Sequence, residues 1–232
     1  KGGVGKSMVS CLLYQALLAL GLKVNGIDTD PVNANLDGLK GLSVTRLDIM
    51  REDNIDVRMF DALIEKIFEM PEDSHVIIDN GASAFVAFGG YLKENEVISL
   101  LQEHGHTVYL HTVITGGQAI VDTTQGLKVL ATGFPSVPLV VWLNPYFGDI
   151  VMDGKDFTSF KVFEEHQHQI HSIIRIPTGN KSTLGQDLQE LYAQRHTFKA
   201  AIESSLSIAV RSRLHRYFEQ VVAAVKVAQI AA

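Results

Sequence analysis

The first seven residues, Lys1-Gly2-Gly3-Val4-Gly5-Lys6-Ser7, bring three glycines, two lysines and a hydroxyl together in a short loop. Glycines at 2, 3 and 5 let the backbone turn tightly and aim successive N–H groups at anionic oxygens. A helix beginning directly after the loop adds its N-terminus, which favours a bound anion. In that frame Lys6 reaches the outer phosphates of a nucleoside triphosphate and the Ser7 hydroxyl ligates Mg²⁺. An ordinary glycine-rich turn before a helix accounts for the glycines but leaves Lys6 and Ser7 unexplained at their spacing. Gly2, Gly3, Val4, Gly5, Lys6, Ser7 and Met8 are therefore candidate nucleotide-binding residues.

Phosphoryl transfer to water also needs carboxylates near the outer phosphate, to hold the metal and to orient the water. Two apolar runs end in such acids. Lys23 to Ile27 leads into Asp28-Thr29-Asp30-Pro31, and Val76-Ile77-Ile78 leads into Asp79-Asn80-Gly81-Ala82. In an open parallel sheet, ligands bind beyond the carboxyl ends of the strands. Asp79 is thus a candidate Mg²⁺ ligand through water, and Gly81 gives the following loop freedom to move when a phosphate leaves. By itself the Asp28–Pro31 segment reads as a capped turn; its place after a phosphate loop is what gives it a chemical role.

These acids need strands and helices to carry them. Further strand-like runs are Val108–Val113, Leu139–Leu143 and Ser172–Ile176, apolar or β-branched throughout, as expected where helices cover both faces of a parallel sheet. Helical runs lie between them: Ser7–Leu20, stopped by Gly21; Val57–Glu69, with Phe60, Leu63, Ile64, Ile67 and Phe68 on one stripe; then Glu94–Glu103, Gln118–Leu130 and Phe157–Gln169. From Leu184 onward the tail reads as wholly helical. The alternation predicts an α/β fold, a doubly wound, mainly parallel sheet flanked by helices, in one domain spanning 1–232 with a helical tail at about 184–232. A phosphate loop should follow a strand, so a first strand is expected upstream of Lys1.

Composition narrows the class. The chain has 232 residues, of which 46% are hydrophobic and 20% charged, enough for a full core. A formal charge of −6 excludes a strongly basic nucleic-acid binder, although a local DNA-binding patch stays open. The single cysteine, Cys11, permits no internal disulfide, and no apolar run suits a bilayer, so a cytoplasmic protein without a transmembrane segment is expected.

The Lys-Gly-Gly-x-Gly-Lys-Ser string resembles the deviant Walker A motif of the ParA/MinD group of ATPases. That resemblance implies ATP or ADP as ligand, Mg²⁺ as its ion, and an ATP-dependent homodimer in which Lys1 reaches the partner's nucleotide. It implies that Asp30 positions or activates the hydrolytic water, so that Lys1, Lys6 and Asp30 form the catalytic set. Asp28 would lie close to the metal, completing a metal set of Ser7, Asp28 and Asp79. An amide such as Asn144, in Trp142-Leu143-Asn144-Pro145, can donate and accept together, as an adenine edge requires, although an Asn-Pro turn explains it equally. The resemblance favours base contact for Asn144 and places Pro177, after Ile176, beside the base. Within the group the nearest likeness is to the ParA-type proteins of plasmid conjugal-transfer operons. It is carried by Asp28–Ala34, Ile77–Ser83, His111–Ala119 and Val140–Tyr146. It implies a role in DNA transfer with protein partners in the transfer machinery. A slow ATPase and a non-hydrolysing nucleotide-bound scaffold are the two functions compatible with these residues, and Asp30 favours the enzyme.

Other residues carry weaker signals. His166, His168 and His171 near Glu164 and Glu165 read as a solvated face rather than a metal site, and His111 as a satisfied core histidine. Cys11 reads as packing. Arg211, Arg213, Arg216 and Lys226 are not confined to one stripe, so the last helix is expected to dock on the sheet.

Overall fold

The computed structural model describes residues 2–52 and 54–230. In chain order its elements are α1 (Lys6–Ala19), β1 (Lys23–Asp28), β2 (Val44–Arg46), β3 (Met50–Arg51), β4 (Asn54–Ile55), α2 (Met59–Phe68) and β5 (Ser74–Asp79). There follow α3 (Phe85–Glu94), α4 (Val97–Glu103), β6 (Leu110–Thr115), α5 (Ile120–Gly133), β7 (Leu139–Asn144), β8 (Val151–Met152) and β9 (Lys155–Asp156). The chain closes with α6 (Lys161–His166), β10 (Ile170–Arg175), α7 (Gln186–Ala193), α8 (Phe198–Ile202) and α9 (Ile208–Val227).

Two three-stranded parallel sheets, ordered β2-β1-β5 and β10-β7-β6, form the framework. Helix α1 packs against β1 and β5 of one sheet and β6 of the other. Its sequence explains the position: Val9, Cys11, Leu12, Leu13, Tyr14, Gln15, Ala16 and Leu17 are all buried, so the helix is apolar on most of its circumference. It stops where Leu22 N–H reaches back to the Leu17 carbonyl and Gly21 N–H to that of Leu18, a Schellman cap with Gly21 in the left-handed region. The strand expected upstream of Lys1 lies outside the described residues.

Registers place the strand ends that matter. Asp28 pairs with Asp79 across β1 and β5, and Thr115 with Asn144 across β6 and β7. Strand β7 is buried at every position, which explains its uninterrupted apolar sequence.

The tail, expected to be helical, is built of separate helical segments. Among the described residues it is three helices, because Thr197 and Ser207 turn the chain back on itself and cap new starts: Thr197 Oγ1 accepts Ala200 N–H and Ser207 Oγ accepts Val210 N–H. It docks chiefly on α1, rather than on the sheet as expected, and α9 meets the sheet at β10. Gln15 Oε1 accepts the Phe198 amide at 2.7 Å, Phe198 stacks on Tyr217 and Phe218, and Arg213 pairs through two nitrogens with Asp187.

Elsewhere the run at Glu94–Glu103 is split, α3 ending before Glu96 (φ +49) and α4 starting after it. The run at Phe157–Gln169 contracts to α6, and the strand expected at Val108–Val113 shifts to Leu110–Thr115. The β8–β9 hairpin turns on Asp153-Gly154, both at positive φ. That pair is a type I′ signal which reading for apolar runs alone passes over.

Candidate functional site

The glycine loop enters α1 through Gly5, whose φ of +105° suits only glycine. A β-carbon there would also lie 2.7 Å from Asn144 Nδ2 and 3.3 Å from Met8 Cε. Val4, 5% exposed, anchors the loop in the core. No side chain caps α1 and no acid lies in its first turn, so the leading amides remain available to an anion. Lys6 sits beside two carboxylates: desolvation lowers its pKa, while Asp79 and Asp30 pull it up.

Asp79, at the end of β5, is 2% exposed. Ser10 Oγ donates to its Oδ1 at 2.9 Å, and Oδ2 is buried without a hydrogen-bond partner. Desolvation pushes its pKa up; hydrogen bonds from Ser7 and Ser10 oppose that, and Asp28 and Asp30 add to it. A buried anion with an open oxygen beside a serine hydroxyl is a donor set that fits a hard divalent cation such as Mg²⁺.

Asp28, expected close to the metal, has both carboxylate oxygens engaged by backbone amides. It is fully buried, but its Oδ1 accepts Asp30 N–H at 3.0 Å and its Oδ2 accepts the Leu36 and Asp37 amides at 2.9 and 3.0 Å. Burial raises its pKa and these amide bonds oppose the rise. Its oxygens shape the 30–37 loop. Asp30 Oδ1 in turn accepts Val32 and Asn33 N–H. Its carboxyl lies so close to Gly81 that a β-carbon at 81 would stand 2.8 Å from Asp30 Cγ.

Two residues not singled out from the sequence complete the junction. Thr29 N–H donates to the Asp79 carbonyl at 2.9 Å, and Thr29 Oγ1 lies 2.9 Å from Asn80 Oδ1. Ser10 follows Ser7 at i+3, on the same helix face, which was the available signal. Thr29 offered none, because its partners come from a strand fifty residues away.

At the ends of β7 and β10, Ile176 N–H donates to the Leu143 carbonyl, which sets half-buried Pro177 on the same sheet edge as Asn144. Asn144 is 3% exposed and bonded within the protein, to Val4 and Tyr146. His111 Nδ1 accepts from Trp142 Nε1 at 2.9 Å, and burial lowers its pKa to about 4. No group of metal-ligating side chains exists among the described residues at the histidines; His171 Nε2 meets the Ala228 carbonyl instead. Lys1 lies outside the described residues.

A glycine loop capping a helix, with acids at neighbouring parallel strand ends, defines a P-loop nucleotide-binding α/β protein. The chain belongs to the CobQ/CobB/MinD/ParA nucleotide-binding domain family, whose model matches residues 1–228. Two proteins of Escherichia coli, both called Protein TraL, are 48% and 46% identical over 216 residues, covering 92% of this chain and 89% of theirs. The MinD cell division protein of Aquifex aeolicus shares the fold, with a TM-score of 0.53 at 18% identity over 94% of both chains. A chain of the MinC:MinD cell division protein complex of Aquifex aeolicus matches similarly, with a TM-score of 0.53 at 17% identity, covering 94% of this chain and 92% of that one. No described helix is long and apolar enough to cross a membrane.

Proposed function

We propose that the chain is a nucleotide switch that binds ATP with Mg²⁺, hydrolyses it slowly as a homodimer, and works in plasmid conjugal transfer. The observation that carries this reading is the meeting, at one sheet edge, of the phosphate loop, Lys6 beside Asp79 and Asp30, and the open Oδ2 of Asp79. The loop amides of Gly2 to Ser7 and the N-terminus of α1 hold the phosphate chain, with Met8 against Gly5. Lys6 offsets charge on the outer phosphates. Ser7 and Asp79 would hold Mg²⁺, which when bound neutralises charge on the phosphate oxygens. Asp30 orients the attacking water. Pro177, at the same sheet edge, bounds the base end.

In this reading Lys1 contacts the nucleotide of the second subunit. Exposed Val32, Val86, Tyr146 and Phe147, on the loops and helix start that follow β1, β5 and β7, supply apolar surface for that subunit. The conjugal-transfer role rests on the likeness to the TraL proteins, and protein components of the transfer machinery are the partners it suggests. ATP is an intracellular substrate, which puts the protein in the cytoplasm. The test is phosphate release from ATP with Mg²⁺ and with excess EDTA. Release that depends on the metal supports the ATPase. Nucleotide binding with no release over background would favour the non-hydrolysing scaffold.

A further inference from the structure

We infer that Asn144 is a positioning residue for the phosphate loop: it ties the end of β7 to the loop backbone and holds the amides in their anion-binding curve. This rests on the loop being a nucleotide site, as proposed above. Asn144 Nδ2 donates to the Val4 carbonyl oxygen at 3.0 Å, and both groups are buried. Its Oδ1 accepts the Tyr146 amide at 3.2 Å, which fixes the plane of the side-chain amide. The backbone beneath is held too. Thr115 Oγ1 donates to the Asn144 carbonyl at 2.9 Å, and the Thr115 amide points to Thr123 Oγ1 at 3.4 Å. The contact with the loop is close enough that Gly5 has no room for a β-carbon.

The peptide carrying the Val4 carbonyl also carries the Gly5 N–H, so fixing one fixes the direction of the other. An amide has two donor hydrogens and an acceptor oxygen; here one hydrogen serves Val4 and the oxygen serves Tyr146. A side chain held this way and only 3% exposed acts on nucleotide through the loop, and its effect should fall on the phosphates whatever base they carry.

Inorganic tripolyphosphate, which has no base, separates the two roles. The Asn144→Leu variant keeps the side-chain shape and neutrality but removes the donor to Val4 and the acceptor for Tyr146, leaving the buried Val4 carbonyl unpaired. Its affinities for Mg-ATP, Mg-GTP and Mg-tripolyphosphate should all fall by one common factor, on the order of tenfold, with the ATP-to-GTP ratio unchanged. Loss confined to ATP, or no loss at all, would overturn the inference.

Should the variant not fold, wild-type protein labelled with ¹⁵N-asparagine gives an independent reading. One side-chain amide proton of Asn144 should exchange slowly with solvent, and rapid exchange of both protons would overturn the inference. If wild-type protein bound neither nucleotide nor tripolyphosphate, the proposed function would fail, while the exchange measurement would still decide the tie between Asn144 and Val4.

Discussion

Lys6 and Asp30 lie close together, but the proposed function gives them different stages, and their variants should separate. In the proposed reading Lys6 is the cation that meets the outer phosphates. Lys6→Ala should weaken Mg-ATP binding by about a hundredfold, read by calorimetry. If Asp30 orients the attacking water, as proposed, Asp30→Ala should leave affinity within about threefold while turnover falls by about a hundredfold. A third residue sets a pH dependence of stability. His111 must stay unprotonated at Nδ1 to accept from Trp142, and burial lowers its pKa from 6.5 to about 4. As pH falls below 6.5 the unfolded chain takes up this proton before the folded one does. The stability held at this site is therefore present above that pH, is lost on the way down to about 4, and changes no further below it. The loss is about 1–3 kcal/mol. Urea midpoints measured across this range should slope less in His111→Asn, which keeps an acceptor but does not titrate.

At the scale of elements, the loops after β1 and β5 behave as one unit. Thr29 joins them through its amide and hydroxyl, and Asp28 curls the first loop by gathering three amides. Gly81 lets Asp30 sit against the second loop. A methyl group at 81 would stand 2.8 Å from Asp30 Cγ and 3.2 Å from its Cα, and backbone cannot swing aside as a flexible side chain does. Gly81→Ala should therefore force the loops apart and lower turnover by about tenfold or more, with a smaller effect on nucleotide affinity. Single-turnover kinetics beside calorimetry would separate the two.

At the scale of the whole molecule, the expected event is assembly. In the proposed reading the loop amides and Lys6 would supply the local phosphate contacts and Lys1 would reach a second subunit's nucleotide, where it would offset developing charge. ATP would then favour the dimer because only the dimer provides that contact. In an Asp30→Ala background, sedimentation should report dimer with Mg-ATP and monomer without it. Adding Lys1→Ala should weaken the dimer while leaving nucleotide binding by the monomer nearly intact. A monomer under both conditions at high protein concentration would rule out the switch.

The sequence by itself determined the phosphate loop, the acids closing two strands and the α/β class, because each depends on neighbours within a few residues: glycines that allow a turn, apolar runs that must be covered, a polar residue where a strand surfaces. Tertiary structure decided what each polar atom was free to do. Asp28 and Asp79 look alike along the chain. Folded, the first gives its oxygens to amides of its own loop, while the second keeps one oxygen open beside Ser7 and Ser10. Asn144 could have faced a base or closed a turn; its amide meets the carbonyl of Val4, 140 positions away. The tail's helical composition was legible, but its breaks at Thr197 and Ser207 were not, since those hydroxyls cap helices only where the chain must turn to cover α1. A hydrogen bond is set by which donor arrives from a distant segment, and residue type and local spacing do not carry that information.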